Sequence, residues 1–301
     1  MSDRLPSAAD RAAARDPGRP CGLLGDTPER DYSRKLQLFN AFAEPELRLA
    51  IAGLALTPGM RVLDAGCGTG EALEWFHDAV RPTGSVVGMD LSAAHVRAAR
   101  AAAPHSVQVL QMDLTQTRPP PGSFDVIWSV NTINHLRDPP AGLDTLAGLL
   151  RPGGRIAIGQ SSLLPDQYFA WDSRLERLTN EAVHRYYEAR YGLTESELRG
   201  VRGLLGWMQQ AGLTHITVRT SIIERAAPLR PADEAYLLEA IFRGTWGERL
   251  RPYLTSEDYV ELSRLCDPTH PSFALRRRDF HFIQTFTLIT GEAPPPNGLS
   301  G

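Results

Sequence analysis

Short apolar runs alternate with amphipathic stretches over the first half of the chain. The runs are five to seven residues long, which is typical of strands buried inside a sheet. The stretches between them repeat their apolar residues with the period of a helix, most clearly from Glu71 to Val80. Strands that alternate with helices predict a parallel sheet with helices on both faces. The predicted strands are 60–64, 85–90, 107–112, 124–130 and 155–159.

The second half of the chain departs from this alternation. A helix rich in aromatic residues is predicted over 165–191, and another helix is predicted to begin at Thr194, where Glu197 completes a capping box. We interpret the extra helices as insertions in one domain rather than as a second core. The remaining predicted elements are strands over 215–224 and 279–290, with helices near 233–243 and 255–266 between them.

Both ends of the chain lack a regular period. The first thirty residues are rich in alanine, proline, arginine and aspartate and predict a mobile arm, and residues 293–301 predict a disordered tail. Pro45 predicts two N-terminal helices rather than one, because proline favours the first turn of a helix. We expect a single domain over 31–292, divided into helical cover (31–56), a core (57–164), a lid insertion (165–193) and further helices (228–275).

Composition excludes several classes of protein. The chain has 301 residues, 42% of them hydrophobic, and a net charge of −3. No run approaches the roughly 20 apolar residues of a membrane helix, and the N-terminus lacks the apolar segment of a secretory signal, so we expect a cytoplasmic protein. Three widely spaced cysteines offer neither a disulfide framework nor a zinc site. The near-neutral charge favours a small-molecule partner over a nucleic acid or a membrane.

The most informative segment follows the first predicted strand and reads Asp64-Ala65-Gly66-Cys67-Gly68-Thr69-Gly70. A strand that enters a glycine-rich turn and then a helix presents bare backbone to a nucleotide. A dinucleotide fingerprint requires glycine or alanine where this chain has Glu71, and an acid at a helix N-terminus is a poor neighbour for a pyrophosphate. The segment therefore favours a ligand without phosphates, and Asp64 is suited to a cationic group on it.

These residues resemble the first motif of the class I S-adenosylmethionine-dependent methyltransferases, of the small-molecule type. Further motifs follow in the order of that family over residues 60–160, and after residue 165 only the general order of elements is similar. The matching segments are Asp90 at the end of the second strand, Met112-Asp113-Leu114, Phe124 to Ser129, Asn131 to Leu136, and Leu149 to Gly154.

The resemblance implies an α/β, Rossmann-like sheet of seven strands in the order 3-2-1-4-5-7-6, with the last strand antiparallel. It implies S-adenosyl-L-methionine as cofactor and S-adenosyl-L-homocysteine as product. In the family the acid at Asp90 holds the ribose hydroxyls; for Asp113, an adenine contact and a helix cap are equally supported. The residues assigned to the cofactor are Asp64, Ala65, Gly66, Cys67, Gly68, Gly70, Asp90, Leu91, Met112, Asp113, Leu114 and Asn131.

The sequence says less about the residues that bind and activate the methyl acceptor. His135, His184 and Tyr187 are candidates for a catalytic base, although a packing role near the cofactor fits His135 as well. The aromatic residues of the lid insertion favour an apolar or aromatic secondary metabolite, with Tyr168, Trp171 and Tyr186 as candidate contacts. We expect in-line methyl transfer without a metal, since positioning and a dry site supply most of what the reaction needs.

Two alternatives stay open at this stage. The chain is either a methyltransferase or a relative that binds the cofactor for another purpose, such as a cyclase or a non-catalytic partner subunit. A dinucleotide-dependent oxidoreductase is disfavoured by Glu71. The sequence specifies neither the acceptor atom nor whether the protein is a monomer or a homodimer.

Overall fold

The computed structural model describes residues 22–24, 26–116, 120–161, 166–169, 171–194 and 200–295. Within these ranges, eight strands form one mixed sheet. The first five strands end close to the predicted positions because each is a short apolar run between helices. The strands are β1 (Arg61–Ala65), β2 (Ser85–Asp90), β3 (Gln108–Gln111), β4 (Phe124–Val130), β5 (Leu150–Ser161), β6 (Gln167–Tyr168), β7 (Thr214–Ala226) and β8 (His281–Glu292).

The strand order runs β3-β2-β1-β4-β5-β8, and β7 pairs with the far edge of β8. The pairings among β1 to β5 are parallel, whereas β8 is antiparallel to both β5 and β7. This confirms the predicted order and the antiparallel last strand. The predicted count of seven is wrong, because Gln167 and Tyr168 pair with Ile283 and Phe282 as an eighth, two-residue strand.

Helices cover both faces of the sheet, as predicted. Val62 faces the apolar cluster that contains α1, α2 and α3, whereas its neighbour Leu63 faces the cluster that contains α4 and α6. This alternation of side chains along one strand buries both faces. The helices are α1 (Ser33–Ala52), α2 (Glu71–Val80), α3 (Ala93–Ala102), α4 (Pro139–Gly148), α5 (Ser173–Tyr191), α6 (Leu204–Gln210), α7 (Pro231–Ala235) and α8 (Ser256–Cys266).

The N-terminal cover is one helix rather than the predicted two. Pro45 lies inside α1, where it lacks the amide hydrogen that would bond to the carbonyl four residues earlier. Phe42 and Leu47, on either side of the proline, are both buried in the core. Burial of this continuous apolar face therefore outweighs the loss of one helical hydrogen bond.

The predicted aromatic helix is also shorter than expected. It begins at Ser173, capped by the Asp172 side chain, and Tyr168 lies on β6 instead. After β7, α7 continues into a π-helix (Tyr236–Trp246) and a 3-10 helix (Gly247–Tyr253). The π-helix packs on α1, and the 3-10 helix packs on α5. We refer to α1, α5, the π-helix and this 3-10 helix together as the cover.

Part of the predicted arm is packed against the core. Gly22 pairs with Leu136 in an isolated β-bridge, and the Leu23 amide donates to the His135 carbonyl at 2.8 Å. Residues 1–21 of the arm, the capping box at Thr194 and Glu197, and residues 296–301 of the tail lie wholly or partly outside the described residues. Among the described helices, none is both long and apolar enough to span a membrane.

Candidate active site

A cavity of about 860 Å³ lies at the carboxyl ends of the parallel strands, between the sheet and the cover. Such a crevice is where open α/β sheets bind their ligands. Strand ends and the turns after them form one wall, and α1, α5 and the π-helix form the opposite wall. Residues from the first wall include Asp64, Gly66, Cys67, Gly68, Asp90, Leu91, Met112, Asp113, Leu114 and Asn131.

The glycine turn between β1 and α2 leaves no room for side chains. Gly66, Gly68 and Gly70 all have positive φ angles, of 83°, 53° and 90°. A Cβ atom on Gly66 would lie 2.1 Å from the Thr132 hydroxyl, and one on Gly68 would lie 2.9 Å from Leu36 of α1. The turn therefore brings bare backbone to the cavity, as the sequence predicted.

Asp64 at the end of β1 is buried and faces the cavity. Burial, together with the nearby charges of Asp90 and Glu71, raises the pKa of its carboxyl to about 8. A carboxyl group in this position is poorly solvated and gains most from a cationic partner. The ammonium group of an amino-acid ligand has the matching charge.

Asp90 organises the next part of the wall. Its carboxylate accepts hydrogen bonds from the Gly68 and Ser92 amides, both at 2.9 Å, and lies 3.1 Å from Nδ1 of His95. His95 is buried, and its Nε2 accepts weakly from the Tyr32 amide at 3.4 Å, which leaves Nδ1 to donate to Asp90. Because a carboxylate has about four acceptor sites, Asp90 retains capacity for a ligand hydroxyl.

Asp113 and Asn131 have structural partners as well as positions on the cavity. Asp113 accepts from the Thr115 amide at 2.8 Å and from the Gln116 side chain at 3.0 Å, and these bonds close a turn over 114–116 rather than cap a helix. Asn131, with a φ of 52°, accepts from the Ser161 amide at 2.8 Å and thereby ties the end of β4 to β5. Contacts of these two residues with a cofactor stay predictions.

Ala65 and Gly70 belong to the turn but do not line the cavity. Ala65 is buried in the core, and its carbonyl accepts from the Ser129 hydroxyl at 2.7 Å. Gly70 precedes α2, and its Cα approaches Ala99 of α3 so closely that a Cβ atom would lie 2.9 Å from the alanine methyl. Both residues position the turn, and contacts of either with a cofactor stay predictions.

His135 is paired with an acid that the sequence analysis missed. Its Nδ1 lies 2.9 Å from the Asp26 carboxylate, and both residues line the cavity. Burial raises the pKa of Asp26, but the hydrogen bond and charge of His135 and the charge of Arg30 outweigh it, so the pKa lies below its usual value. An ionised Asp26 that accepts from Nδ1 leaves Nε2 as the basic nitrogen of the ring.

No local signal could have identified Asp26, because it is 109 positions away from His135 and lies in the predicted arm. The same holds for His95, whose role depends on Asp90 and Tyr32. Both were missed because each acts through a contact between distant parts of the chain.

The other acceptor-side candidates divide into two groups. His184, Tyr187 and Tyr168 line the cavity, whereas Trp171 and Tyr186 do not. Trp171 packs against Trp246 of the π-helix, with ring centroids 5.3 Å apart, and Tyr186 packs on its lid neighbours. These two half-buried rings pack against the apolar cluster of the cover rather than line the cavity.

Tyr187 is a poor base in this setting. Burial and the neighbouring Tyr191 raise its pKa, so the phenol stays protonated at neutral pH and can donate a hydrogen bond. His184 precedes it by three residues on α5. Within the described ranges, no group of three acidic, histidine or cysteine side chains is arranged to hold a metal ion.

A Rossmann-like sheet whose strand ends carry a glycine turn and three acids defines a binding site for a nucleoside ligand with a cationic group. Residues 62–154 match the family model described as a methyltransferase domain. This match spans about a third of the chain and supports a class I S-adenosylmethionine-dependent methyltransferase domain there, with S-adenosylmethionine as its cofactor.

Several similar proteins are named methyltransferases, and the names of two of them refer to nocamycin and rifamycin. The chain is 29% identical to nocamycin O-methyltransferase of Saccharothrix syringae over 224 residues, which cover 70% of this chain and 77% of that protein. It is 36% identical to 27-O-demethylrifamycin SV methyltransferase of Amycolatopsis mediterranei over 115 residues, which cover 37% and 42%. The match spans only 21–42% of the length of four of the curated relatives.

A solved structure confirms the fold. The YcgJ protein of Bacillus subtilis superposes with a TM-score of 0.54 at 17% identity, over 85% of this chain and 99% of that one. This similarity is informative about the arrangement of the sheet and helices alone.

Proposed function

We propose that the protein transfers a methyl group from S-adenosylmethionine to a hydroxyl group of a small organic acceptor. The observation that carries this proposal is the His135–Asp26 pair, which lies on the same cavity as the glycine turn, Asp64 and Asp90. A base oriented by a carboxylate is what a hydroxyl nucleophile requires and what a more reactive nucleophile can do without.

The first wall suits the cofactor by its donor chemistry. Asp64 is a buried carboxyl group without a hydrogen bond from any described residue, and it would hold the ammonium group. Asp90 would hold the ribose hydroxyls, and Leu91, Met112 and Leu114 offer apolar contact to the adenine. When bound, S-adenosylmethionine supplies a methyl group on a sulfonium sulfur, and the acceptor oxygen displaces that sulfur in line.

The protein's own part in the reaction is to move a proton and to exclude water. Nε2 of His135 takes the proton of the acceptor hydroxyl, and Asp26 holds the ring in the tautomer that leaves this nitrogen free. The cover closes over the site with apolar side chains such as Phe39, Val183 and Ile241. A dry, preorganised site of this kind contributes mainly through proximity, worth about 7–11 kcal/mol.

The acceptor is proposed to be an apolar or aromatic metabolite. The aromatic side chains of the cover and the O-methyltransferase activity named for two relatives support this class. A cofactor-binding cyclase or non-catalytic partner would share the first wall, but a carboxylate-oriented histidine favours proton abstraction. Glu71 continues to disfavour a dinucleotide, since it lies at the N-terminus of α2.

The test is a turnover assay with methyl-labelled cofactor and a panel of hydroxylated aromatic and polyketide-type acceptors. Formation of S-adenosylhomocysteine together with an equimolar amount of labelled O-methyl product supports the proposal. Unchanged turnover in the presence of a metal chelator supports metal-free transfer. Tight binding of S-adenosylhomocysteine without turnover on any acceptor contradicts the enzymatic role. Binding of NADH in its place contradicts the cofactor.

A further inference from the structure

The two walls of the cavity carry opposite charges. The strand-end wall contributes Asp64, Asp90 and Asp113, whereas the opposite wall contributes Lys35 from α1 and Arg249 from the 3-10 helix that follows the π-helix. The remaining charged side chains on the cavity are Asp26, Arg30, Asp166 and Arg202. Lys35 and Arg249 come from separate segments of the chain, and together they make this part of the cavity favourable for negative charge.

Lys35 is the single lysine of a chain that contains 32 lysine and arginine residues. It lies in the first turn of α1 and lines the cavity. Burial, then the positive charges of Arg249 and Arg30, lower the pKa of its ammonium group. Like charges are therefore gathered at this point, an arrangement that costs free energy until an anion binds.

Neighbouring arginines on the same helices show that the presence of an ion-pair partner depends on the position of a cation. Arg34, the residue before Lys35, pairs with Glu239 at 2.7 Å, and Arg251, two residues after Arg249, pairs with Glu248 at 3.7 Å. Within the described residues, no carboxylate is paired with Lys35 or Arg249. These two neighbouring arginines have carboxylate partners, whereas Lys35 and Arg249, which line the cavity, have none among the described residues.

Arg249 lies on the acceptor side of the cavity. Its guanidinium carbon lies 5.3 Å from the centroid of the Tyr186 ring on α5. This contact fixes the direction of the guanidinium and leaves its hydrogen-bond donors for a ligand. Lys35 lines the same cavity from α1, near enough for the charge of Arg249 to lower the pKa of its ammonium group.

We propose that Lys35 and Arg249 bind an anionic group, a carboxylate or a phosphate, of the methyl acceptor. This inference rests on the proposed function and narrows its acceptor from an apolar or aromatic molecule to a hydroxylated organic acid. The anion anchors one end of the acceptor at the cover, while its hydroxyl meets His135 on the far side. Charge-assisted hydrogen bonds of this kind give both affinity and orientation.

The test is calorimetric titration of the protein saturated with S-adenosylhomocysteine. The probes are phenylacetate and phenyl phosphate, which are anionic, and 2-phenylethanol, which is neutral and of similar size. We expect at least one anion to bind about tenfold or more tightly than the alcohol, and Lys35→Ala and Arg249→Ala each to remove roughly tenfold of its affinity. The better anion distinguishes a carboxylate from a phosphate.

Matched controls are available on the same elements. Arg34→Ala and Arg251→Ala remove a neighbouring cation that does not line the cavity, and they are expected to leave the anion affinity within twofold. Lys35→Arg keeps the charge and is expected to restore most of the binding. Because Lys35 is the only lysine, its ¹³C-dimethylated form gives a side-chain resonance whose shift on adding phenylacetate or phenyl phosphate reports contact directly.

Three results would overturn the inference. The first is equal affinity for the anions and the alcohol, and the second is anion binding that Lys35→Ala and Arg249→Ala leave unchanged. The third is a loss of S-adenosylhomocysteine affinity in Lys35→Ala, which would assign Lys35 to the cofactor's own carboxylate. Failure of the unmodified protein to bind S-adenosylhomocysteine at all would instead contradict the proposed function.

Discussion

The two walls of the cavity are built in different ways. The cofactor wall consists of strand ends and a glycine turn, held by hydrogen bonds between neighbouring backbone segments such as the Gly68 amide and Asp90. The opposite wall consists of side chains from distant segments, joined by charged contacts such as Arg34 with Glu239. A wall made of backbone fixes one ligand geometry, whereas a wall of side chains can be changed residue by residue while the sheet stays intact.

The sheet and the cover are also held in place by different interactions. The core strands are held by two apolar clusters, one on each face of the sheet. The cover adds an ion network in which Arg225 of β7 meets Glu46 of α1 at 2.8 Å and Asp233 of α7 at 2.9 Å. Arg225 also packs over the Phe42 ring, 4.7 Å from its centroid. The network therefore joins α1 to β7 and to α7.

The largest effect is expected at the His135–Asp26 pair, which supplies the proposed base. His135→Gln should lower kcat by about 10²–10⁴-fold, because a positioned base contributes that much, and should leave cofactor affinity within about twofold. Asp26→Asn should lower kcat less than His135→Gln, since it removes only the carboxylate that orients the ring. Single-turnover kinetics with labelled cofactor measure both, and an unchanged rate in His135→Gln would refute the base.

The ion network gives the next largest effect, this time on stability. Arg225→Met leaves Glu46 without its partner and buried Asp233 with Arg230 alone, and should cost about 3 kcal/mol of unfolding free energy. Arg34→Met breaks an exposed pair and should cost at most about 1 kcal/mol. Urea unfolding of both variants checks the difference, and equal losses would show that the buried network does not hold the cover.

On the cofactor wall, the glycine turn is the most sensitive point. Gly66→Ala places a methyl group 2.1 Å from the Thr132 hydroxyl in a backbone conformation with φ of 83°, and should cost about 2–4 kcal/mol. Gly148→Ala is the control, because nothing lies within 4 Å of its new methyl group. Thermal unfolding with and without S-adenosylhomocysteine separates strain from lost binding; a tolerated Gly66→Ala would contradict the close approach.

A smaller effect is expected for the ribose acid. Asp90→Ala should weaken S-adenosylhomocysteine binding by about 1–3 kcal/mol, and Asp90→Asn, which keeps an acceptor oxygen, by less. Calorimetry gives both dissociation constants. Unchanged affinity in Asp90→Ala would mean that the carboxylate serves only Gly68, Ser92 and His95.

The smallest expected effect is the release of a proton from Asp64 when the cofactor binds. With a pKa of about 8, Asp64 is mostly neutral at pH 7, and a cationic ligand group should ionise it, so cofactor binding should release close to one proton. The raised pKa also means that Asp64 destabilises the cofactor-free fold as the pH rises from about 4 to 8. Titrations in HEPES and Tris measure the proton, and Asp64→Asn should remove both effects.

The sequence predicts one wall far better than the other. The strand bounds 85–90 and 124–130 and the helix Glu71–Val80 agree residue for residue, because period and capping are local properties. The turn residues around Gly66 were found through their spacing. Asp26, Lys35 and Arg249 escaped because their roles come from contacts across the fold, and Pro45 misled because tertiary burial overrode a local preference.

Loss of the contact between Asp26 and His135 is expected to impair catalysis while the protein stays folded. The acid lies on a segment outside the sheet, so a variant that begins at Tyr32 keeps every strand and every helix described here. Such a variant is expected to melt normally, to bind its cofactor and yet to turn over slowly, since its histidine has lost the orienting carboxylate. A preparation trimmed at its N-terminus would thus pass each test of structural integrity while being the wrong material for an acceptor screen.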